Sequence, residues 1–308
     1  IINIVKTGKQ KIEVKKYSYY VSYENGKFGV IDNEGNNIIE PSYDEMISIP
    51  NSSKPIFICV YDINEAEGTY KTKAINDKNE EILTGYDKIE ALDNYDSKQN
   101  IWYEDNVLKV SKNGKYGLID FEGKEILPCE YDEITALNGV KSNILVKKAG
   151  NIGLVNEKGQ TIVPVQYKNI LTLKEGYKNE YIVVNENDQY GLINTSGVVV
   201  IEPKYEMVKY LNSSSMFAIK EAGVWKVIDI GNGNIVIDGG YDDIIQAKTD
   251  SVVIVKNGKY GVIDLNKEEK IEPQYEDLKY TFSIYYIAKK DGKYGIINSE
   301  NEEVIPFE

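Results

Sequence analysis

The chain has 308 residues, 42% of them hydrophobic and 28% charged, and a formal net charge of −13. That balance suits a folded protein with a sizeable core rather than a disordered tail. The basic residues are scattered singly, so a polyanion would meet repulsion over most of the surface and nucleic acid is not an expected partner. No apolar run approaches the ~20 residues of a membrane-spanning helix, and no membrane-spanning segment is expected.

Histidine and arginine are absent, and all 36 basic residues are lysine. This removes the commonest neutral-pH acid/base group, the commonest zinc ligand and the bidentate phosphate clamp. Cys59 and Cys129 stand 70 residues apart and fit no metal-binding spacing. They read as unpaired strand cysteines, with a disulfide as the alternative. No metal, cofactor or catalytic residue is expected. The chain opens on Ile1 without a hydrophobic leader, which reads as a trimmed piece of a longer product. Its wealth of Ile, Asn, Lys and Tyr resembles AT-rich bacterial coding.

In chain order, the first predicted element is a strand at Lys11-Ile12-Glu13-Val14-Lys15-Lys16. Tyr17, Tyr19, Tyr20 and Tyr23 follow, the last three in an apolar run that stops at Asn25-Gly26, the strongest short-range hairpin signal. The returning strand is Lys27-Phe28-Gly29-Val30-Ile31-Asp32. The pleat sends Phe28 and Val30 to one face and Ile31 to the other, so both faces are apolar and the strand belongs inside a layered stack. Gly29 allows a neighbouring backbone to approach. Asp32 and Gly35 close a second hairpin, since an Asx side chain can hydrogen-bond its own backbone while glycine supplies positive φ. A third strand, Asn37-Ile38-Ile39, is expected to end at Pro41, and a fourth to begin at Tyr43 with Asp44, Glu45, Met46 and Ile47.

This unit recurs. Gly114 to Asp120, Gly258 to Asp264 and Gly292 to Asn298 copy the hairpin closely; Ala149 to Asn156, Asp188 to Asn194, Gly223 to Asp229 and a degraded Gly68 to Asn76 are weaker copies. Their central positions, 28, 70, 116, 152, 190, 225, 260 and 294, are 34 to 46 residues apart. A tyrosine follows each of the first seven by 15 or 16 residues, at 43, 86, 131, 167, 205, 241 and 275. A unit this small buries too little to stand alone, so stacking is obligatory. The chain is therefore one repeat domain over 1–308, with approximate modules 17–54, 55–100, 101–142, 143–180, 181–215, 216–250, 251–285 and 286–308, the last incomplete and open to completion by 9–16. The expected fold is an all-β tandem array of about eight four-stranded antiparallel modules, β-propeller-like, with an open β-solenoid or superhelical array as the alternative.

The aromatic-Gly hairpin, the Asp-x-x-Gly turn and the downstream Pro-x-x-Tyr-Asp resemble the bacterial WG (KWG) repeat family. The resemblance spans nearly the whole chain. It is strongest around 28, 116, 190, 260 and 294 and departs from the pattern where Lys71 and Lys226 replace glycine. It implies a surface or envelope protein without a defined biochemical activity, and a place outside the cytoplasm.

Candidate chemistry is thin. The acidic pairs after Tyr43, Tyr131 and Tyr241 could serve as acid and base, yet adjacent strand residues face opposite ways. The turn Asp and Asn residues lack the spacing of a calcium loop. Tyr17, Tyr19, Tyr20, Tyr23, Trp102 and Tyr103 fall outside the motif and could form contact platforms. One module, 55–100, carries insertions, at Asp62 to Gly68 and Asp93 to Asn100. The expected function is a non-catalytic scaffold or protein-interaction module; a carbohydrate or cell-wall binder is the alternative and a carboxylate-based hydrolase the remote one.

Overall fold

The computed structural model describes residues 18–308 apart from 51, 214 and 249. Strand follows strand, with no helix among the described residues. The first sheet has three strands, Tyr19–Glu24, Lys27–Asp32 and Asn37–Tyr43. Seven four-stranded sheets follow, over 45–82, 88–131, 133–167, 169–205, 207–241, 243–275 and 277–305. Within each, the strands lie side by side in chain order, and none of the sheets closes on itself. This antiparallel meander is the unit from which a propeller blade is made. The eighth sheet has four strands because Asp277–Phe282 joins the three of module 286–308; among the described residues the three-stranded sheet is the first. Segment 9–16, assigned to complete the array, lies outside the described residues.

The sheets are cut differently from the sequence repeat. The strand that starts after each landmark tyrosine belongs to the next sheet, as its first strand. Glu45–Ser48 pairs with Phe57–Asn64, Met207–Tyr210 with Met216–Glu221, and Asp277–Phe282 with Tyr285–Lys290. One residue makes the bend. The Asp44 amide donates forward to the Val60 carbonyl at 2.9 Å, as Glu206 does to Lys220, Asp242 to Val255 and Glu276 to Lys289. One stretch of chain thus ends one sheet and begins another.

Except at Pro306, which follows Glu303–Ile305, proline does not end the third strand. Pro41, Pro203 and Pro273 lie inside Asn37–Tyr43, Val199–Tyr205 and Glu269–Tyr275. Phe28 pairs with Tyr43 and Val30 with Ile39, so Glu40, Pro41 and Ser42 stand opposite Gly29 alone. An amide in such a bulge has no ladder partner, and proline there loses nothing.

The bulge explains the glycine. A Cβ on Gly29 would sit 2.4 Å from the Ile39 carbonyl oxygen, and one on Gly191 2.6 Å from both the Ile201 oxygen and the Pro203 nitrogen. In the sixth sheet Lys226 takes this slot and the bulge is kept, Trp225 pairing with Tyr241 and Val227 with Ile237. There the opposing strand supplies the glycines, Gly239 and Gly240, the latter at φ +63. In the second sheet a lysine takes the slot as well. Counting back from the turn at Asn76 puts Thr72-Lys73 in the slot, two residues beyond the Tyr70-Lys71 that sequence spacing selects, because the Asp62 to Gly68 insertion lengthens the hairpin. Gly85, at φ +96, stands immediately before Tyr86.

The described residues fall into two compact units: the chain up to Ala136 with Lys141–Ile144 and Asn156–Gln160, and Leu137–Val140 with Leu145–Val155 and Thr161–Glu308. In the first unit Val30, Ile39 and Tyr43 of the first sheet pack on Met46, Phe57, Cys59 and Ile75 of the second. In the second, Val253, Val262, Ile271 and Tyr275 of the seventh sheet pack on Leu278, Tyr286, Ala288 and Ile297 of the eighth. Both cysteines are free thiols; burial pushes the Cys59 thiol up to about 12.

Replacing Gly191 by Ala should destabilise the protein by about 2 kcal/mol or more, since the new methyl must displace the Ile201 and Pro203 backbone. A urea midpoint unchanged from the parent would remove the steric account of the slot.

Candidate functional site

The turn residues are spent on the backbone. In every regular turn one side-chain oxygen accepts the amides two and four residues on, at 2.7–3.0 Å, from Asp32, Asn76, Asp96, Asp120 and Asn156 to Asn185, Asn194, Asp264 and Asn298. These bonds favour the charged form. The Asn36 side chain and amide hold the Asp32 carboxyl below the usual carboxylate range, Asn100 does the same for Asp96, and the Glu268 amide leads the lowering at Asp264. Among the described residues no three His, Cys, Asp or Glu side chains gather where they could hold a metal.

The acid after each landmark tyrosine is a clip between hairpins. Asp44 accepts from Lys27 at 2.5 Å and Asp132 from Lys115, while the amides of Asn113, Gly223, Gly258 and Gly292 donate to Asp87, Glu206, Asp242 and Glu276. The Lys27 ammonium leads the lowering of the Asp44 pKa. At the one junction where this residue is basic, Lys168, the hairpin partner is acidic: Asp188, at 2.5 Å. The charge is swapped and the contact survives. Glu45 and Glu133, the second acids, are exposed. The acidic pairs therefore do not converge into an acid and a base.

The departure from the repeat lies in the third sheet. Its first hairpin has strands of 8 and 12 residues, Lys88–Tyr95 and Ile101–Lys112. The register slips between Ala91 and Asp93, and beyond the slip Asp93, Asn94 and Tyr95 pair with Tyr103, Trp102 and Ile101. This arm ends in the Asp96 turn. One side of it is buried around Glu104, only 3% exposed, which accepts from the Asn94 amide at 2.7 Å, the Trp102 indole at 3.3 Å and the Ser142 backbone at 2.7 Å. A carboxylate so enclosed is tolerated only when donors surround it. On the other side the cross-strand pair Tyr95 and Ile101 is 39% and 70% exposed. Sequence reasoning found the insertion and Trp102 but not Glu104, which reads as one acid among many; the signal was its place beside the second of the two insertions, Asp93 to Asn100.

The other predicted aromatics scatter. Tyr19 is half-buried and donates to Asp77 at 2.7 Å, Tyr20 and Tyr23 are exposed, Tyr103 is half-buried, and Tyr17 lies outside the described residues. Tyr19, Tyr20, Pro50, Pro55 and Phe57 line a cavity of about 590 Å³ at the first two sheets.

A family model described as WG containing repeat matches residues 28–52, 116–151, 152–190, 190–225 and 260–294, together more than half of the chain. The chain belongs to the WG-containing repeat family. The WG model passes over 53–115 and 226–259. Those stretches hold the two lysine slots, Lys73 and Lys226, and the arm. No curated protein matches the chain. Among solved structures, a eukaryotic initiation factor is similar at 10% identity and TM-score 0.40, covering 94% of this chain and 85% of its own. The Neurospora crassa Pan2 WD40 domain has 13% identity, TM-score 0.31, and 68% and 75% coverage. The Myceliophteria thermophila Cps50 (Swd1) β-propeller domain has 12% identity, TM-score 0.28, and 74% and 88% coverage.

Two outcomes are expected of the WG turns and the arm. The lowered turn carboxyls give a stabilisation that is complete above the unfolded value of about 3.9 and is lost as pH falls through the lower folded value. Hydrogen exchange followed down to about pH 2 should open the Asp-closed turns at 32–36, 96–100 and 264–268 before the Asn-closed turns at 156–160 and 194–198, which carry no such proton; simultaneous opening would contradict it. Replacing Glu104 by Ala should cost about 3 kcal/mol and red-shift Trp102 emission in a Trp225→Phe background. Unchanged emission would mean that the carboxylate does not pin the arm.

Proposed function

We propose that this WG repeat protein is a non-catalytic scaffold of a bacterial envelope, outside the cytoplasm, which binds a protein partner through the arm of the third sheet. One observation carries the reading: a projecting hairpin with an exposed Tyr95–Ile101 pair, fixed from behind by a buried carboxylate, in a stretch the WG model does not match. An exposed aromatic and an aliphatic held rigid lose little entropy on contact, which favours their use as an anchor. The regular modules support the scaffold part of the reading, because their turn and junction acids are engaged in holding hairpins together.

Cell-wall carbohydrate is the second reading. It draws on the cavity of about 590 Å³ near Tyr20, whose exposed ring could stack on a sugar. Capture from an envelope extract and a glycan array separate the two. The double variant Tyr95→Ser/Ile101→Ser should lose the captured protein while its circular dichroism stays that of the parent. Equal capture by parent and variant would exclude the arm, and glycan binding lost on Tyr20→Ser would favour the sugar.

A further inference from the structure

Two slots of the repeat fill the space beside each Asx turn. The first is the residue paired with the turn Asp or Asn: Tyr19 with Asp32, Glu180 with Asn194, Met216 with Asp229 and Tyr285 with Asn298. The second is the residue skipped between two ladder pairs of the third strand, and it is Ile38, Ile126, Ile162, Val200, Val236 or Val304 in six of the sheets. Where the sixth sheet meets the seventh, Met216 and Val236 both pack against the buried core.

The seventh sheet departs at both slots. Ser251 pairs with Asp264, and Lys270 is the residue skipped between Glu269 and Ile271. Serine is smaller than any of the four residues above in its slot, and lysine is charged where the other six are aliphatic. The Lys270 ammonium bends to the turn acids, 2.7 Å from Glu268 and 3.2 Å from Asp264. The space that Met216 and Val236 fill one junction earlier is left here as a cavity of about 320 Å³.

The cavity is built from both sheets. Val262 of the seventh and Tyr286 of the eighth line it, 2% and 1% exposed, and the Tyr286 hydroxyl meets Ser251. Two ion pairs also line it, Lys270 with Asp264 and Lys248 with Asp250, the latter 3.5 Å apart. Backbone fixes its rim, since the Lys248 amide donates to the Ser251 carbonyl at 2.8 Å and the Leu265 amide to the Asp250 carbonyl at 2.9 Å.

Charge selects the class of ligand. An anion would face Asp250, Asp264 and Glu300, and a cation would face Lys248 and Lys270. A neutral molecule with adjacent hydroxyls meets no such penalty, because it donates to the carboxylates and accepts from the ammonium groups at once. Val262 and Leu265 offer an apolar patch to the C–H face of a ring. Small-molecule sites span roughly 300–1,000 Å³, so a cavity at the lower end takes one ring.

We propose that the cavity between the seventh and eighth sheets binds a neutral monosaccharide ring, held by Lys248, Asp250 and Lys270 over the Val262 and Leu265 patch. The site belongs to other sheets than the arm and the Tyr20 cavity, and it rests on neither reading of the function given above.

The experiment is a methyl NMR titration of the whole chain with glucose, galactose, mannose and N-acetylglucosamine, and with glycine and inorganic phosphate as charged comparisons. At least one sugar should shift the Val262 and Leu265 methyl signals with a millimolar Kd, and the charged probes should not. Ser251→Met/Lys270→Val places the sixth-sheet residues in both slots, and it should fold and lose the sugar. Lys270→Val alone changes a side chain that is 41% exposed, so it folds even where the double variant does not. It should weaken binding at least about tenfold, the loss of one charge-assisted hydrogen bond. Tyr20→Ser should bind as the parent does. The proposal is overturned by a parent that binds none of the four sugars, by binding that survives Lys270→Val, by binding lost on Tyr20→Ser, or by glycine or phosphate binding in place of sugar.

Discussion

The structure depends on one close approach between backbones. Three residues of one strand, such as Glu40, Pro41 and Ser42, must pass a single residue of its neighbour, and the carbonyl that leads into the bulge comes within 2.4–2.9 Å of where a Cβ would be on Gly29, Gly117, Gly153, Gly191, Gly261 or Gly295. No side chain fits there without moving backbone. Most sheets meet the clash with glycine in the slot, and at Lys226 the bulge is kept with Gly239 and Gly240 on the opposing strand, which indicates that the bulge, not the glycine as such, is what must be kept. A bulge bends and twists its strand. Here the bend delivers the landmark tyrosine to the core between sheets and turns the following residue so that its amide bonds forward. A local steric rule thus becomes the rule by which one sheet begets the next.

Much of this was legible in the amino-acid order. The Asn-Gly and Asp-Gly hairpins, the Asx turns and the double-sided apolar strands carry their own signals, and the family resemblance rests on them. What was not legible was hydrogen-bond partnership. A strand such as Tyr43 to Ile47 alternates acid and apolar in the same way whichever sheet it joins, so periodicity could not tell that it pairs forward. Proline misled for a related reason. Its lack of an amide marks an unpaired position, which a strand end and a bulge share, and only the register distinguishes them. The second module was read two residues early because Tyr70, an aromatic followed by Lys, imitates the motif; its hydroxyl instead donates to Glu90 and its ring lies 3.6 Å beneath the Lys88 ammonium.

The same geometry decides where recognition can occur. Stacked sheets bury both faces, and the acids that looked most like chemistry are held in clips and turns whose oxygens already accept amides and ammonium groups. Carboxylates occupied in this way are poor candidates for proton transfer, because giving up a proton acceptor would loosen a hairpin. Variation that leaves the stack intact must therefore sit at its margins, on the protruding hairpins or beside the turns.

Glu104 shows the cost of such a departure and why it is informative. Among the described residues the only other buried carboxylate is Asp264, a turn residue of the seventh sheet whose oxygen accepts two backbone amides, and desolvating a carboxylate is unfavourable unless donors enclose it. The arm provides two of those donors from its own strands, Asn94 and Trp102, and a third comes from Ser142, whose backbone is held at φ +60. A loop that merely tolerated extra residues would leave them solvated and mobile. This one spends a desolvated charge and a left-handed residue to hold eight extra residues in a single orientation, with Tyr95 and Ile101 facing outward. Rigidity of that kind is useful where a surface must be presented the same way to whatever meets it, and it is the feature that separates the third sheet from its seven siblings.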